Sequence, residues 1–207
     1  MALFSALAVG CDSGAGPRRG YHGPMRRLLE PHPESPASPV SSIAVTVDRD
    51  APGLLRLAYS AAGDMAAVSL PPPAAAERAD ELWRSTCFEA FLRPAGGEAY
   101  WEFNFAPSTQ WAAYAFDGYR AGMRPAERIA PPVVEVAGDR GLFALAVTLD
   151  LSGLEGLAPG GAWRLGLSAV IAGKGGVSYW ALAHPPGRPD FHHADCFALE
   201  IPATGRT

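Results

Sequence analysis

Glu89 and Glu102 are the side chains with which chemistry could begin. They are carboxylates in two consecutive strand-like runs, Ser85-Thr-Cys-Phe-Glu-Ala-Phe-Leu92 and Glu98-Ala-Tyr-Trp-Glu-Phe-Asn-Phe105, and each is flanked by aromatic rings. Two carboxyl groups about 5 Å apart across a cleft serve retaining glycoside hydrolysis, and about 6.5 to 9.5 Å apart they serve the inverting reaction. Without such a cleft the same groups accept hydrogen bonds from ligand hydroxyls. In a third arrangement each bonds an arginine across the sheet, for which Arg84 and Arg164 are the candidates.

Asn104 stands two residues after Glu102, so an extended chain turns both to one face with Tyr100 and sends Trp101, Phe103 and Phe105 to the other. Asn104 is the only asparagine in the chain and Gln110 the only glutamine, so an amide beside a carboxylate is a marked choice here. An acid and an amide on one sheet face suit the reading of a ligand better than the breaking of bonds. Trp83 and Trp180, close to loop ends, could stack on the apolar face of a sugar while those polar groups fix its hydroxyls. The competing role for each is a core ring whose indole N–H meets a carbonyl.

A second cluster lies in His184-Pro-Pro-Gly-Arg-Pro-Asp-Phe-His-His193. His184, Asp190 and His192 are of metal-ligating type, but their spacing matches no zinc motif, and adjacent histidines on an extended chain point opposite ways. Bonds to loop backbone are favoured over a metal. Gly173-Lys-Gly-Gly176 lacks the Walker pattern, since Ser168 and Gly175 stand where glycine and Ser or Thr are needed, and it reads as a hairpin turn. Neither Gly166-Leu-Ser-Ala-Val170 nor Gly176-Val-Ser-Tyr-Trp180 closes with the glycine of a nucleophile elbow. Lys174, the single lysine, sits in that turn and makes a poor Schiff-base former. Cys11, Cys87 and Cys196 are widely spaced without CxxC. Cys87 and Cys196, beside phenylalanines, read as buried reduced thiols and point to a reducing, cytoplasmic setting. Nothing in the sequence calls for a metal or another cofactor.

The elements that must position these groups are short strands. The chain has 207 residues, 48% of them hydrophobic, enough for one domain with a real core. A net charge of −4 and the lack of a basic run argue against nucleic acid. Strand runs are expected over 43–47, 54–60, 85–92, 98–105, 110–116, 133–136, 142–149, 163–172, 177–183 and 196–201, with turn chemistry between them. Residues 65–70 are a further strand candidate, and Ala74 to Leu82 are expected to form a helical turn or two. This pattern predicts an all-β fold, an antiparallel β-sandwich with little helix. Residues 1–24 are expected to be a disordered extension or a misassigned start, with 25–207 as the single domain. The alternative for Leu7-Ala-Val-Gly-Cys11 is a lipoprotein cleavage site that would export the protein through Cys11. No apolar run reaches the roughly 18 to 20 residues of a membrane span.

The ordered set Leu82-Trp-Arg-Ser-Thr-Cys-Phe-Glu89-Ala-Phe-Leu, Tyr100-Trp-Glu-Phe-Asn-Phe-Ala-Pro107, Ser178-Tyr-Trp180 and Pro189-Asp-Phe-His-His-Ala-Asp-Cys-Phe197 resembles the DOMON-like domains related to family 9 carbohydrate-binding modules. The resemblance runs from about Pro31 to Pro202. It implies an antiparallel sandwich that binds a sugar or, in other branches, haem through a Met and His pair; Met65 and Met123 do not align with that role. It also implies Trp83 and Trp180 as platforms and Glu89, Glu102 and Asn104 as polar site groups, with Arg84, Arg164, His184 and His192 as possible support. The expected function is non-catalytic binding of a carbohydrate or sugar-containing small molecule. A metal- or carboxylate-dependent hydrolase is the alternative, and a haem-binding redox module is the third option.

Overall fold

A computed structural model describes residues 23–204. β1 (Met25–Pro31), β2 (Val40–Ala51) and β3 (Leu54–Gly63) build the first antiparallel layer, with buried and more exposed residues alternating along β3 and most of β2. The β2–β3 pair closes through the expected Asp50 to Gly53 turn, and β3 pairs in turn with β9 (Leu142–Asp150), which pairs with β8 (Val133–Gly138). The second layer runs β7 (Arg124–Pro125), β6 (Trp111–Phe116), β5 (Tyr100–Phe105), β4 (Cys87–Pro94), β10 (Trp163–Gly173) and β11 (Gly176–Ala181), with β12 (Leu199–Ile201) also on β10. Every strand pairing is antiparallel. The chain is an antiparallel β-sandwich made from one curled sheet. β1 joins the layers, pairing through Met25–Leu29 with β2 and through Glu30 and Pro31 with β11.

Between the layers lies the main core. Ile43, Val45, Leu55, Leu57 and Tyr59 from one side meet Phe88, Leu92, Phe103, Phe105 and Leu165 from the other, all essentially free of solvent contact. Each such side chain contributes about 1.5–3 kcal/mol by leaving water. The Tyr59 hydroxyl crosses the layers and donates to the Glu89 carbonyl at 2.7 Å, which satisfies a polar group that burial would otherwise penalise.

The opposite face of β4, β5 and β6 is covered as well. A second cluster there joins Cys87, Phe91, Tyr100, Tyr114 and Phe116 to Leu82, Phe191 and Phe197 from the overlying connections. Consequently β4 and β5 are buried on both faces along almost their whole length.

Four expectations need correction, the first being the strand over 196–201, of which only Leu199–Ile201 forms while Ala194–Cys196 makes a 3-10 turn. Ala74 to Leu82 form no helix: Glu77 and Ala79 exchange backbone hydrogen bonds with Trp111, and only Leu82–Arg84 makes a 3-10 turn. Open backbone groups beside β6 outweigh the helix propensity of alanine and glutamate. Met65–Ala67 is a 3-10 turn rather than part of a strand. Met25–Pro31, expected only to begin the domain, is a strand. The Gly173–Gly176 turn stands as read, closing the β10–β11 hairpin. Cys87 and Cys196 are free and buried. Cys11 and residues 1–22 lie outside the described residues. Among the described residues no helix is long and apolar enough to cross a membrane.

Candidate functional site

Strand pairing brings the predicted polar groups together. Glu89 on β4 stands opposite Asn104 on β5 and Ser168 on β10, while Glu102 stands opposite Phe91 and Tyr114. All project to the outer face of the second layer, as the alternation on β5 predicts. Glu89 and Glu102 form the floor of a cavity of about 350 Å³ walled by Trp83, Phe91, Phe116, Tyr179 and Phe191, with Asn104 and Ser168 sealed beside them. Arg120, Met123 and His192 also line it.

The floor is nearly dry. Glu89 is 2% exposed, Glu102 5% and Asn104 0%. Asn104 Nδ2 donates to Glu102 Oε1 at 2.8 Å, and Ser168 Oγ donates to Glu89 Oε2 at 3.3 Å. Glu89 Oε1 has no hydrogen-bond partner. Burial raises the Glu89 carboxyl well above its ordinary range, and the charge of Glu102 raises it further, against the Ser168 hydrogen bond. Burial also raises Glu102, opposed by the Asn104 hydrogen bond and the positive charge of Arg120. Two acids that hold their protons tightly in a small cavity can donate hydrogen bonds when protonated and accept them when ionised.

Two loops form the rim. In the first, Tyr119 Oη donates to Asp190 Oδ2 at 2.5 Å and the Arg120 guanidinium to Asp190 Oδ1 at 2.8 Å. Arg120 adopts a left-handed backbone, φ 52°, a cost of the kind met at functional sites. Its N–H donates to the Tyr100 hydroxyl at 3.2 Å. Gly122 sits at φ +65° in the same loop, and a Cβ there would run into the Asp117 carboxylate, so the turn requires glycine. In the second loop His192 places Nδ1 2.8 Å from the Tyr100 hydroxyl and Nε2 3.8 Å from Glu102 Oε2. Burial lowers His192 to about 4, and Arg120 adds to the effect. The ring is therefore neutral near pH 7 and makes no ion pair with Glu102.

The remaining expected site residues divide. Trp83 is half-buried on the cavity wall, edge-on to Tyr114 at 5.6 Å. Trp180 is not a platform: it is 4% exposed in the interlayer core, with its indole N–H donating to Ser178 Oγ at 3.1 Å. Its neighbour Tyr179 takes the outward position. Asn104 is sealed and meets a ligand only through Glu102. Arg84 pairs with Glu81, and Arg164 pairs with Glu200, so neither arginine neutralises the buried acids. His184 contacts the Glu30 carbonyl at 2.8 Å and packs edge-on against His32, a loop-fixing role. His184 thus stands apart, while Asp190 serves Tyr119, Arg120 and the His192 backbone N–H, and the His192 ring serves Tyr100. Among the described residues no group of three or more histidine, cysteine or acidic side chains is placed to hold a metal. A Met and His haem pair does not fit either: Met65 is in the interlayer core, and Met123 stands half exposed at the rim while His192 is bonded to Tyr100.

Sequence reasoning set Tyr100 on the face of Glu102 and Asn104 without giving it a role, and missed Phe116, Arg120, Tyr179 and Phe191. The parity of β11, with Val177 and Ala181 flanking Tyr179 at two-residue spacing, was the available signal for Tyr179.

No protein-family model matches the chain, and no curated protein matches its sequence. Solved structures do match. A Bacteroides uniformis protein provisionally described as carbohydrate-binding superposes with a TM-score of 0.59 at 14% identity, covering 83% of each chain. A family 9 carbohydrate-binding module of Caldicellulosiruptor kristjanssonii, in complex with cellotriose, superposes with a TM-score of 0.53 at 11% identity, covering 94% of this chain and 92% of the module. At these identities the likeness is one of fold: this chain and the family 9 module share a β-sandwich.

Proposed function

We propose that the protein is a non-catalytic, DOMON-like binding domain that takes a carbohydrate or sugar-containing small molecule in the cavity over Glu89 and Glu102. The observation that carries this reading is a pair of buried carboxyl groups at the base of a pocket walled by aromatic rings. Rings pack against the apolar faces of a sugar while a few placed polar groups select its hydroxyls. The fold shared with proteins described as carbohydrate-binding supports it. Trp83 and Tyr179 are the half-buried ring candidates, Glu89 and Glu102 the hydroxyl acceptors, and Asn104 and Ser168 hold those acids in place.

Calorimetric titration of the protein with a panel of mono- and oligosaccharides, cellotriose among them, tests the proposal. Saturable binding that Trp83→Ala weakens at least tenfold is expected. Flat isotherms across the whole panel refute it.

A further inference from the structure

The charge of the cavity specifies its ligand more closely than its shape does. Glu89 and Glu102 are neighbouring acids, yet among the described residues no arginine or lysine nitrogen lies within 4.0 Å of either carboxylate. Buried carboxylates are ordinarily paired, because an unpaired ionised group in a dry site is costly. The nearby cation, Arg120, is engaged by Asp190 at 2.8 Å, so its charge is offset at the rim. His192 is neutral and adds none. Glu89 Oε1, on a side chain 2% exposed that lines the cavity, has no partner at all. The cavity therefore holds two acids with no resident cation, and an entering cation would favour their ionised forms.

The walls add an independent attraction. Trp83, Phe91, Phe116, Tyr179 and Phe191 surround the acids, and aromatic faces attract cations, most strongly where water is excluded. An ammonium group carries three donors and no acceptor, which matches a floor composed of acceptors.

Building on the sugar-binding reading, we propose that the ligand bears an ammonium group, an amino sugar or a closely related hydroxylated amine, with its nitrogen seated over the Glu89 and Glu102 carboxyls that line the cavity. The amine supplies the positive charge that the protein leaves out, and the ring hydroxyls meet the rest of the floor and the rim. Neutral sugars fill the same space but leave Glu89 without a charged partner.

Calorimetry of the full chain at pH 7 with glucosamine, N-acetylglucosamine, glucose and cyclohexylamine separates the possibilities. Glucosamine is expected to bind at least tenfold more tightly than glucose and N-acetylglucosamine. That ratio should fall towards one in Glu89→Gln, with Glu102→Gln as a second variant and melting curves as the control for folding. Glucosamine binding no more tightly than glucose overturns the ammonium inference while leaving sugar binding intact. Cyclohexylamine binding as tightly as glucosamine supports the inference and overturns the sugar reading. Absence of binding by all four probes overturns both.

Discussion

Asn104→Ala removes the one hydrogen bond that serves the Glu102 carboxyl from within the floor. Glu102 is 5% exposed and its Oε1 accepts from Asn104 Nδ2 at 2.8 Å, so the variant leaves a buried acceptor without a donor. The expected loss is about 1–3 kcal/mol, the cost of an unsatisfied buried polar group. For a chain of this size that lowers Tm by about 2–12 °C. The sign of its pH dependence is the sharper feature. Burial raises Glu102 above its ordinary 4.5 and Asn104 opposes the rise. The folded protein therefore holds this proton more tightly than the unfolded chain. Stability linked to it is complete below 4.5 and declines as pH climbs through the raised value. Without Asn104 the folded value rises further and the decline deepens, so the variant should lose more stability at pH 8 than at pH 4.5. Urea unfolding of both proteins at the two pH values measures this. An equal loss at both, or a loss under about 0.5 kcal/mol as for an ordinary surface change, would refute the assignment of Asn104 as the support of an ionisable floor.

Trp180→Ala should destabilise by about 3–5 kcal/mol, the range for large aromatic truncations in a core, whereas Trp83→Ala should affect binding far more than stability; chemical denaturation of the pair checks this, and a mild effect at Trp180 would contradict its interlayer placement. Glu89→Gln removes a carboxyl that burial and Glu102 both push upward, so its stability relative to the parent should rise between pH 4.5 and pH 8; thermal melts that track each other across that interval would show that folding does not raise the Glu89 carboxyl.

Much of the sandwich is legible in the sequence because strand parity is a local property. The Tyr100–Phe105 run alone fixes which side chains face the opposing layer, and the turns at Asp50 to Gly53 and Gly173 to Gly176 carry their own chemistry. What escaped depends on distant partners. The helix expected over Ala74 to Leu82 gives way to backbone groups offered by Trp111, more than 30 residues later in the chain. The covering of the β4–β6 outer face by Leu82, Phe191 and Phe197 cannot be read from β5, which looks from its own residues like a sheet with one wet side. Trp180 failed by a single position: a one-residue shift in parity exchanges every side chain between faces, and Tyr179 takes the place expected for the tryptophan. Arg120 and Asp190 meet only because two rim loops converge, and their spacing in sequence carries no trace of that.

The two-residue rhythm of β4 and β5, buried on both sides by separate clusters, keeps the interlayer core and the cavity lining on alternate letters of the same segments. Descendants of this chain could exchange Phe91 or Phe116 and acquire new chemical preferences without renegotiating Phe88, Phe103 or Phe105. The lining of such a pocket on the outer face of a sandwich layer is thus free to diverge quickly while the scaffold is inherited unchanged, a division of labour that also marks out where a directed library should be randomised.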